Sequence, residues 1–274
     1  MVALQGGELS VLYAALAAVS PGEEVIEADF GQDHTDGEMR KVPLIASFPP
    51  RLSRAGLAGV LRQVAEAAAA HRPDFTGEID AAVSALYEIP EVWEDLLAGG
   101  PSRQKRLEEL RVFLDRREVS FEIAGFLIHH TLKPLLRCYA RKAAQAQPVH
   151  FETWEKGCCP VCGAYPNLAV IKGEKGRFLY CGLCETSWRF TRLGCPFCEV
   201  TSVGEQEILA LEGTPYRIYL CANCRGYLKT VLQQSGETFD PLAVEGKTLH
   251  LDLLALREGY VNRTMQASGA GGGE

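Results

Sequence analysis

Long apolar runs are missing from this chain of 274 residues. Nothing in it approaches the roughly 20 consecutive apolar residues of a membrane-spanning helix. Met1 to Ser20 has no basic start followed by an apolar core, which argues against a secretory signal. Catalytic signatures are equally scarce. There is no glycine-rich loop of the kind that cradles phosphate, no helix with the paired histidines of a metalloprotease, and no serine or cysteine nucleophile with a recognisable base. Positive charge is in short supply too: the net charge is −7, divided as −5 over residues 1–150, +1 over 151–230 and −3 over 231–274 when Lys and Arg are counted against Asp and Glu. Nucleic-acid binding draws most of its affinity from basic residues facing phosphate, so that function is disfavoured. With 47% hydrophobic and 23% charged residues, the composition is that of a globular protein. The expectation is a cytoplasmic protein that is not an enzyme.

Cysteine, by contrast, is abundant and ordered. Eight of the ten cysteines form four Cys-x-x-Cys pairs: Cys159/Cys162, Cys181/Cys184, Cys195/Cys198 and Cys221/Cys224. Two cysteines separated by two residues bend round one side of a tetrahedral ion, and a second pair brought in by a hairpin closes the other side. Between Cys162 and Cys181 lie 18 residues and between Cys198 and Cys221 lie 22, each enough for two strands and a turn, whereas only 10 separate Cys184 from Cys195. The simplest reading is two sequential ribbons, each holding one metal ion on four thiolates. A cross-braced arrangement, first pair with third and second with fourth, is the alternative. Disulfides would need an oxidising compartment, a catalytic dithiol comes as one pair rather than four, and iron–sulfur clusters crowd three cysteines together. Four thiolates suit zinc and a single iron alike. Of the remaining cysteines, Cys138 reads as a small buried residue of a helix, and Cys158 as an alternative ligand only through a one-residue slip.

The residues around the pairs agree. Gly163 and Gly226 mark tight turns after their knuckles, and Pro160 and Pro196 set φ inside theirs. Arg177 to Tyr180, Pro215 to Leu220 and Tyr227 to Leu232 have the aromatic and β-branched content of strands, with Gly173 to Gly176 as a connecting turn. Lys172, Lys175, Arg177, Arg189 and Arg192 form either a basic patch or a solvated hairpin surface, the second being the simpler. Trp188 reads as a core aromatic of its ribbon.

The first half reads as helical. Ser53 caps a helix over Arg54 to His71 with Leu57, Val60, Leu61, Val64 and Ala68 on one face. A second helix starts near Gly77, breaks at Pro90 and stops at Gly99-Gly100-Pro101. A third runs from Ser102, and Ser120 opens a fourth that contains Pro134 and the adjacent His129 and His130. Neighbouring histidines on a helix point about 100° apart, so at least one of them reads as a core residue. Ala143 to Trp154 is the joint to the ribbons. A helix over Leu249 to Glu258, carrying Leu251, Leu253, Leu254 and Leu256, returns to pack on the ribbons or the bundle. The expected fold is α+β: a helical domain over 1–150, a first rubredoxin-like or zinc-ribbon subdomain over 151–193, a second with its C-terminal helix over 194–266, and a disordered tail over 267–274.

The order of motifs carries a family likeness. Cys159-Pro160-Val161-Cys162-Gly163, Cys181-Gly182-Leu183-Cys184-Glu185-Thr186-Ser187-Trp188, Cys195 to Cys198, and Cys221-Ala222-Asn223-Cys224-Arg225-Gly226-Tyr227-Leu228-Lys229 resemble the FdhE family of formate dehydrogenase accessory proteins. Leu251-Asp252 and Glu258-Gly259-Tyr260 look like its C-terminal motif. The resemblance implies a helical domain joined to two rubredoxin-like ribbons, the eight paired cysteines as metal ligands with iron usual and zinc plausible, and a cytoplasmic role in maturing formate dehydrogenase by engaging its catalytic subunit. Two other readings stay open: a rubredoxin-like redox protein that activates its client, and a ribbon that binds nucleic acid.

Overall fold

The computed structural model describes residues 6–22, 24–30, 42–98, 100–146, 151, 154–234 and 239–264. The expected tail over 267–274 and half of the expected joint lie outside these residues. The chain divides into two compact units, one made of residues up to 32 with Ile45–Pro148, the other of 33–44 with Val149 onward.

Helices dominate the first unit. In order come α1 (Gly6–Ala18), β1 (Ile26–Glu27), α2 (Leu44–Ser47), β2 (Arg51–Leu52), α3 (Arg54–His71), α4 (Thr76–Tyr87), α5 (Pro90–Ala98), α6 (Gly100–Asp115) and α7 (Phe121–Ala146). Ser53 caps α3 by accepting the Gly56 N–H at 3.3 Å, and Ser120 caps α7 by accepting the Ile123 N–H at 3.2 Å, each satisfying a donor that the first helical turn leaves over. The predicted face of α3 is buried from Leu57 to Ala68. Pro90 opens α5, where a missing N–H costs nothing, and Pro134 sits inside α7, which runs on past it to Ala146. Helix α1, which the sequence reading left without an element, buries Leu12 and Leu16, and the Arg137 guanidinium donates to the carbonyls of Ala17 in its last turn and Val19 just past its end. His130 packs against the rings of Phe126 and Tyr13. Burial, with the charges of His129 and Lys133 beside it, pulls its pKa down to about 3, so it is a neutral core histidine, as expected of one of the pair. Cys138 is buried in α7.

The second unit is built on one six-stranded sheet. Its strands are β3 (Pro166–Ile171), β4 (Arg177–Cys181), β5 (Ser187–Phe190), β6 (Gln206–Ala210), β7 (Tyr216–Cys221) and β8 (Tyr227–Leu232), followed by α8 (Pro241–Lys247) and α9 (Leu249–Arg257). Each ribbon is an antiparallel three-stranded meander, and the spatial order is β5-β4-β3-β8-β7-β6. The two meanders join at a parallel seam in which Leu168, Ala169, Val170 and Ile171 face Lys229, Thr230, Val231 and Leu232. The seam strands β3 and β8 are buried almost throughout, as strands covered on both faces are. Leu251 and Ala255 of α9 pack on Ile218, Leu220 and Tyr227. This corrects the expected leucine face of α9: Leu253, Leu254 and Leu256 are exposed, because a nine-residue helix on a sheet buries one narrow stripe, which here falls on Leu251 and Ala255. The helical first half and tandem ribbons make the fold α+β.

Candidate metal centres

The four Cys-x-x-Cys segments fold into the same loop. In the first three, the first cysteine's carbonyl accepts the N–H of the residue after the second cysteine: Gly163 to Cys159, Glu185 to Cys181 and Glu199 to Cys195, at 2.9–3.0 Å. The first cysteine's N–H donates back to the carbonyl one residue further on, at Ala164, Thr186, Val200 and Gly226 in turn. Closing so small a loop needs a left-handed residue directly after the second cysteine, and Gly163, Glu185, Glu199 and Arg225 all have φ between 56° and 71°. Glycine stands there once in four. Gly226 therefore does not make the turn expected of it, since Arg225 has already turned the chain. Arg225 keeps its unfavourable φ because its guanidinium stacks on Tyr260 at 4.1 Å and donates to the carbonyls of Glu258 and Gly259.

These loops bring the eight sulfurs into two clusters, Cys159, Cys162, Cys181 and Cys184 in one and Cys195, Cys198, Cys221 and Cys224 in the other, with all ligand atoms of a cluster within 4.8 Å of one another. The arrangement is sequential, not cross-braced. Across the first cluster Cys159 to Cys184 is 3.4 Å and Cys162 to Cys181 3.5 Å; across the second both Cys195 to Cys224 and Cys198 to Cys221 are 3.7 Å. A tetrahedral ion with metal–sulfur bonds of about 2.3 Å sets its ligands about 3.8 Å apart, so the donor set fits one ion per cluster. Hydrogen bonds orient the sulfurs. The Cys184 N–H donates to Cys181 Sγ at 3.5 Å, Asn223 Nδ2 donates to Cys198 Sγ at 3.3 Å, and the Thr186 hydroxyl lies 3.2 Å from Cys184 Sγ.

Sulfurs this close cannot all ionise alone. Burial pushes the Cys159 and Cys184 thiols well up. In the same cluster Cys181, against the cost of its own burial, is held well below the usual thiol range by hydrogen bonds from its three neighbours. In the second cluster the Cys195 hydrogen bond brings Cys224 down to about 5, and the same contact drives Cys195 up. A bound cation stabilises thiolates held this close together. Cys158 stays out of both clusters. Its carbonyl accepts the Trp154 indole N–H at 2.8 Å, and burial pushes its thiol up to about 11. Trp188 is a core residue at 1% exposure, its indole donating to the Lys156 carbonyl.

The first ribbon helps to build the second cluster. The Gly157 N–H donates to the Glu199 carboxylate, the Tyr165 hydroxyl to the Phe197 carbonyl, and Arg177 Nη1 to the Gly194 carbonyl. Arg177 is thereby removed from the basic patch considered above: it is 1% exposed. The strand alternation of β4, which buries Arg177, Leu179 and Cys181 together, is the signal that places it, and reading it as a surface charge overlooked that period. On the other side, Asp252 of α9 accepts hydrogen bonds from Tyr227 and Lys229 at 2.8 Å each. The Tyr-Leu-Lys and Leu-Asp motifs thus meet in one network that fastens α9 to the second ribbon.

Comparison with known proteins agrees with the likeness drawn from the motifs. Residues 158–192 match the family model described as FdhE, central domain. An FdhE homologue of Haemophilus ducreyi is 33% identical over 131 residues, 46% of this chain and 43% of the relative. One from Aquifex aeolicus is 28% identical over 176 residues, 60% of this chain and 62% of the relative. The matches therefore span less than two thirds of these relatives' own length. The crystal structure of the FdhE protein from Pseudomonas aeruginosa superposes with a TM-score of 0.53 at 20% identity, covering 97% of this chain and 88% of that one; the two share a fold. The resemblance to the FdhE family holds in sequence and in fold.

Proposed function

We propose, with the FdhE central-domain match as premise, that this chain is a metal-holding accessory protein in the maturation of formate dehydrogenase. In this reading it binds the immature catalytic subunit in the cytoplasm and catalyses no reaction itself. The observation that carries the proposal is the pair of four-sulfur clusters, the first of which lies within the stretch that matches the FdhE central domain. Cys159, Cys162, Cys181 and Cys184 would hold one iron or zinc ion and Cys195, Cys198, Cys221 and Cys224 the other. An ion in such a site supplies about 10–16 kcal/mol toward folding a small ribbon. The ribbons have a modest core of their own, so the ions hold a recognition surface in shape. No described helix is long and apolar enough to cross a membrane.

Two measurements test this. Metal analysis with a visible spectrum, on protein purified without added metal or chelator, should give about two ions per chain; thiolate-to-iron charge-transfer bands identify iron, and a colourless protein zinc. Immobilised protein should capture the unassembled catalytic subunit of formate dehydrogenase, and the Cys181→Ser/Cys184→Ser double variant should capture it at least tenfold less well. Undiminished capture by a variant that has lost its metal would sink the proposal.

A further inference from the structure

Arg177 is the most buried full charge among the described residues, at 1% exposure, and no carboxylate pairs with it there. Its Nη1 donates to the carbonyls of Gly194 at 2.9 Å and Arg192 at 3.4 Å, and its Nε has no partner. The guanidinium lies over the Tyr219 ring at 4.9 Å. Carbonyl dipoles and a ring face carry only partial charge, and a buried ion without a counter-ion costs several kcal/mol. Burial pulls the Arg177 pKa down to about 10, so the group is still a cation at neutral pH. The cavity it shares, of about 10 Å³, is lined by Gly194, Cys195, Gln206, Tyr219 and Cys221. Two of these, Cys195 and Cys221, are cysteines of the second cluster. Four thiolates on a divalent ion sum to two negative charges, which is what a buried guanidinium lacks.

We propose that Arg177, supplied by the first ribbon, is the counter-charge of the second four-sulfur centre, so that the first ribbon sets how tightly the second holds its ion. The inference rests on the reading that both clusters bind metal. Its geometry is directional. Arg177 opens β4 and Cys181 ends it, facing the same way, so ordering β4 around the first ion also seats the guanidinium against the Gly194 carbonyl, one residue before Cys195. The contact running the other way, in which Glu199 beside Cys198 accepts the Gly157 N–H ahead of Cys159, brings no cation to the first cluster.

The test uses the full chain loaded with cadmium-113, whose two sites give separate resonances assigned through couplings to the cysteine β-protons. A chelator is then titrated in. In Arg177→Met the second-site resonance should disappear at a chelator concentration 10–100-fold lower than in the unaltered chain, the usual effect of removing a group that supports metal ligands, while the first-site resonance holds. Arg177→Lys, which keeps the charge and gives up the fork, should stay within about threefold. Equal loosening of both sites in Arg177→Met, or of neither, overturns the inference, as does an Arg177→Lys that loses the second ion as fully as Arg177→Met. Should Arg177→Met fail to fold, Arg177→Gln, which removes the charge but keeps a donor for the Gly194 carbonyl, takes its place under the same criterion. An unaltered chain that takes up no cadmium or zinc would instead overturn the metal reading itself.

Discussion

Gly157 faces the Pro196 carbonyl so closely that a β-carbon on Gly157 would stand 1.8 Å from that oxygen. The obstacle is backbone, which cannot swing aside as a side chain does. Gly157→Ala should therefore unseat the leader of the first ribbon from the third knuckle and lose the Gly157 to Glu199 hydrogen bond. A loss of about 3 kcal/mol is expected, seen as a fall of about 6–12 °C in the melting temperature. An unchanged melting curve would show that the two loops do not meet.

The network around Asp252 makes a second case. The Lys229 side chain is 8% exposed and that of Asp252 20%, so deleting the acid leaves an ammonium unpaired in the interior. Asp252→Ala should cost about 3 kcal/mol or more, whereas Asp252→Leu with Lys229→Met should recover most of it. Denaturant unfolding of the two variants gives the comparison; equal losses would mean that the ion pair is not what holds α9.

His130 sets an acid dependence in the helical unit. Its folded pKa of about 3 lies below the 6.5 of a free histidine, so the unfolded chain binds the proton more tightly. The stability that this group contributes is fully present above pH 6.5 and is lost as pH falls from there toward 3, by up to about 1.4 kcal/mol per unit. His130→Phe should flatten that slope. The measurement is unfolding free energy against pH for both proteins, and parallel curves would refute the assignment.

Stripping the metal should act on one unit. Because a ribbon's folding energy is largely its ion's, a strong chelator should open residues 155–232 to proteases while 54–146 stay resistant. Mass spectrometry of the fragments locates the cuts; simultaneous cleavage of α3 and α7 would contradict this.

What the sequence disclosed and what it hid have different physical ranges. The knuckles, the Gly173 to Gly176 turn and the caps at Ser53 and Ser120 are local, each decided by a few neighbouring residues, and all could be read directly. The parallel seam between β3 and β8 was not legible, since Leu168 and Lys229 meet across two ribbons and neither strand's composition names its partner. Arg177 was misread because a charged residue is exposed by default, and its burial depends on carbonyls at Arg192 and Gly194 that arrive from another loop. The left-handed turns at Glu185, Glu199 and Arg225 were missed because the expectation of glycine is statistical, and closure around paired sulfurs outweighs a cost of about 1–2 kcal/mol.

The seam between β3 and β8 also orders events at the ribosome. The first ribbon can close on its own sulfurs once Cys184 has emerged, yet its β3 edge, Leu168 to Ile171, stays bare until Leu232 has been made. For that interval the nascent chain displays an apolar strand with unpaired backbone, the kind of template that invites pairing with other chains. Its exposure ends only with the arrival of the strand that carries Lys229, so translation speed across the second ribbon governs how long the half-built sheet stays vulnerable.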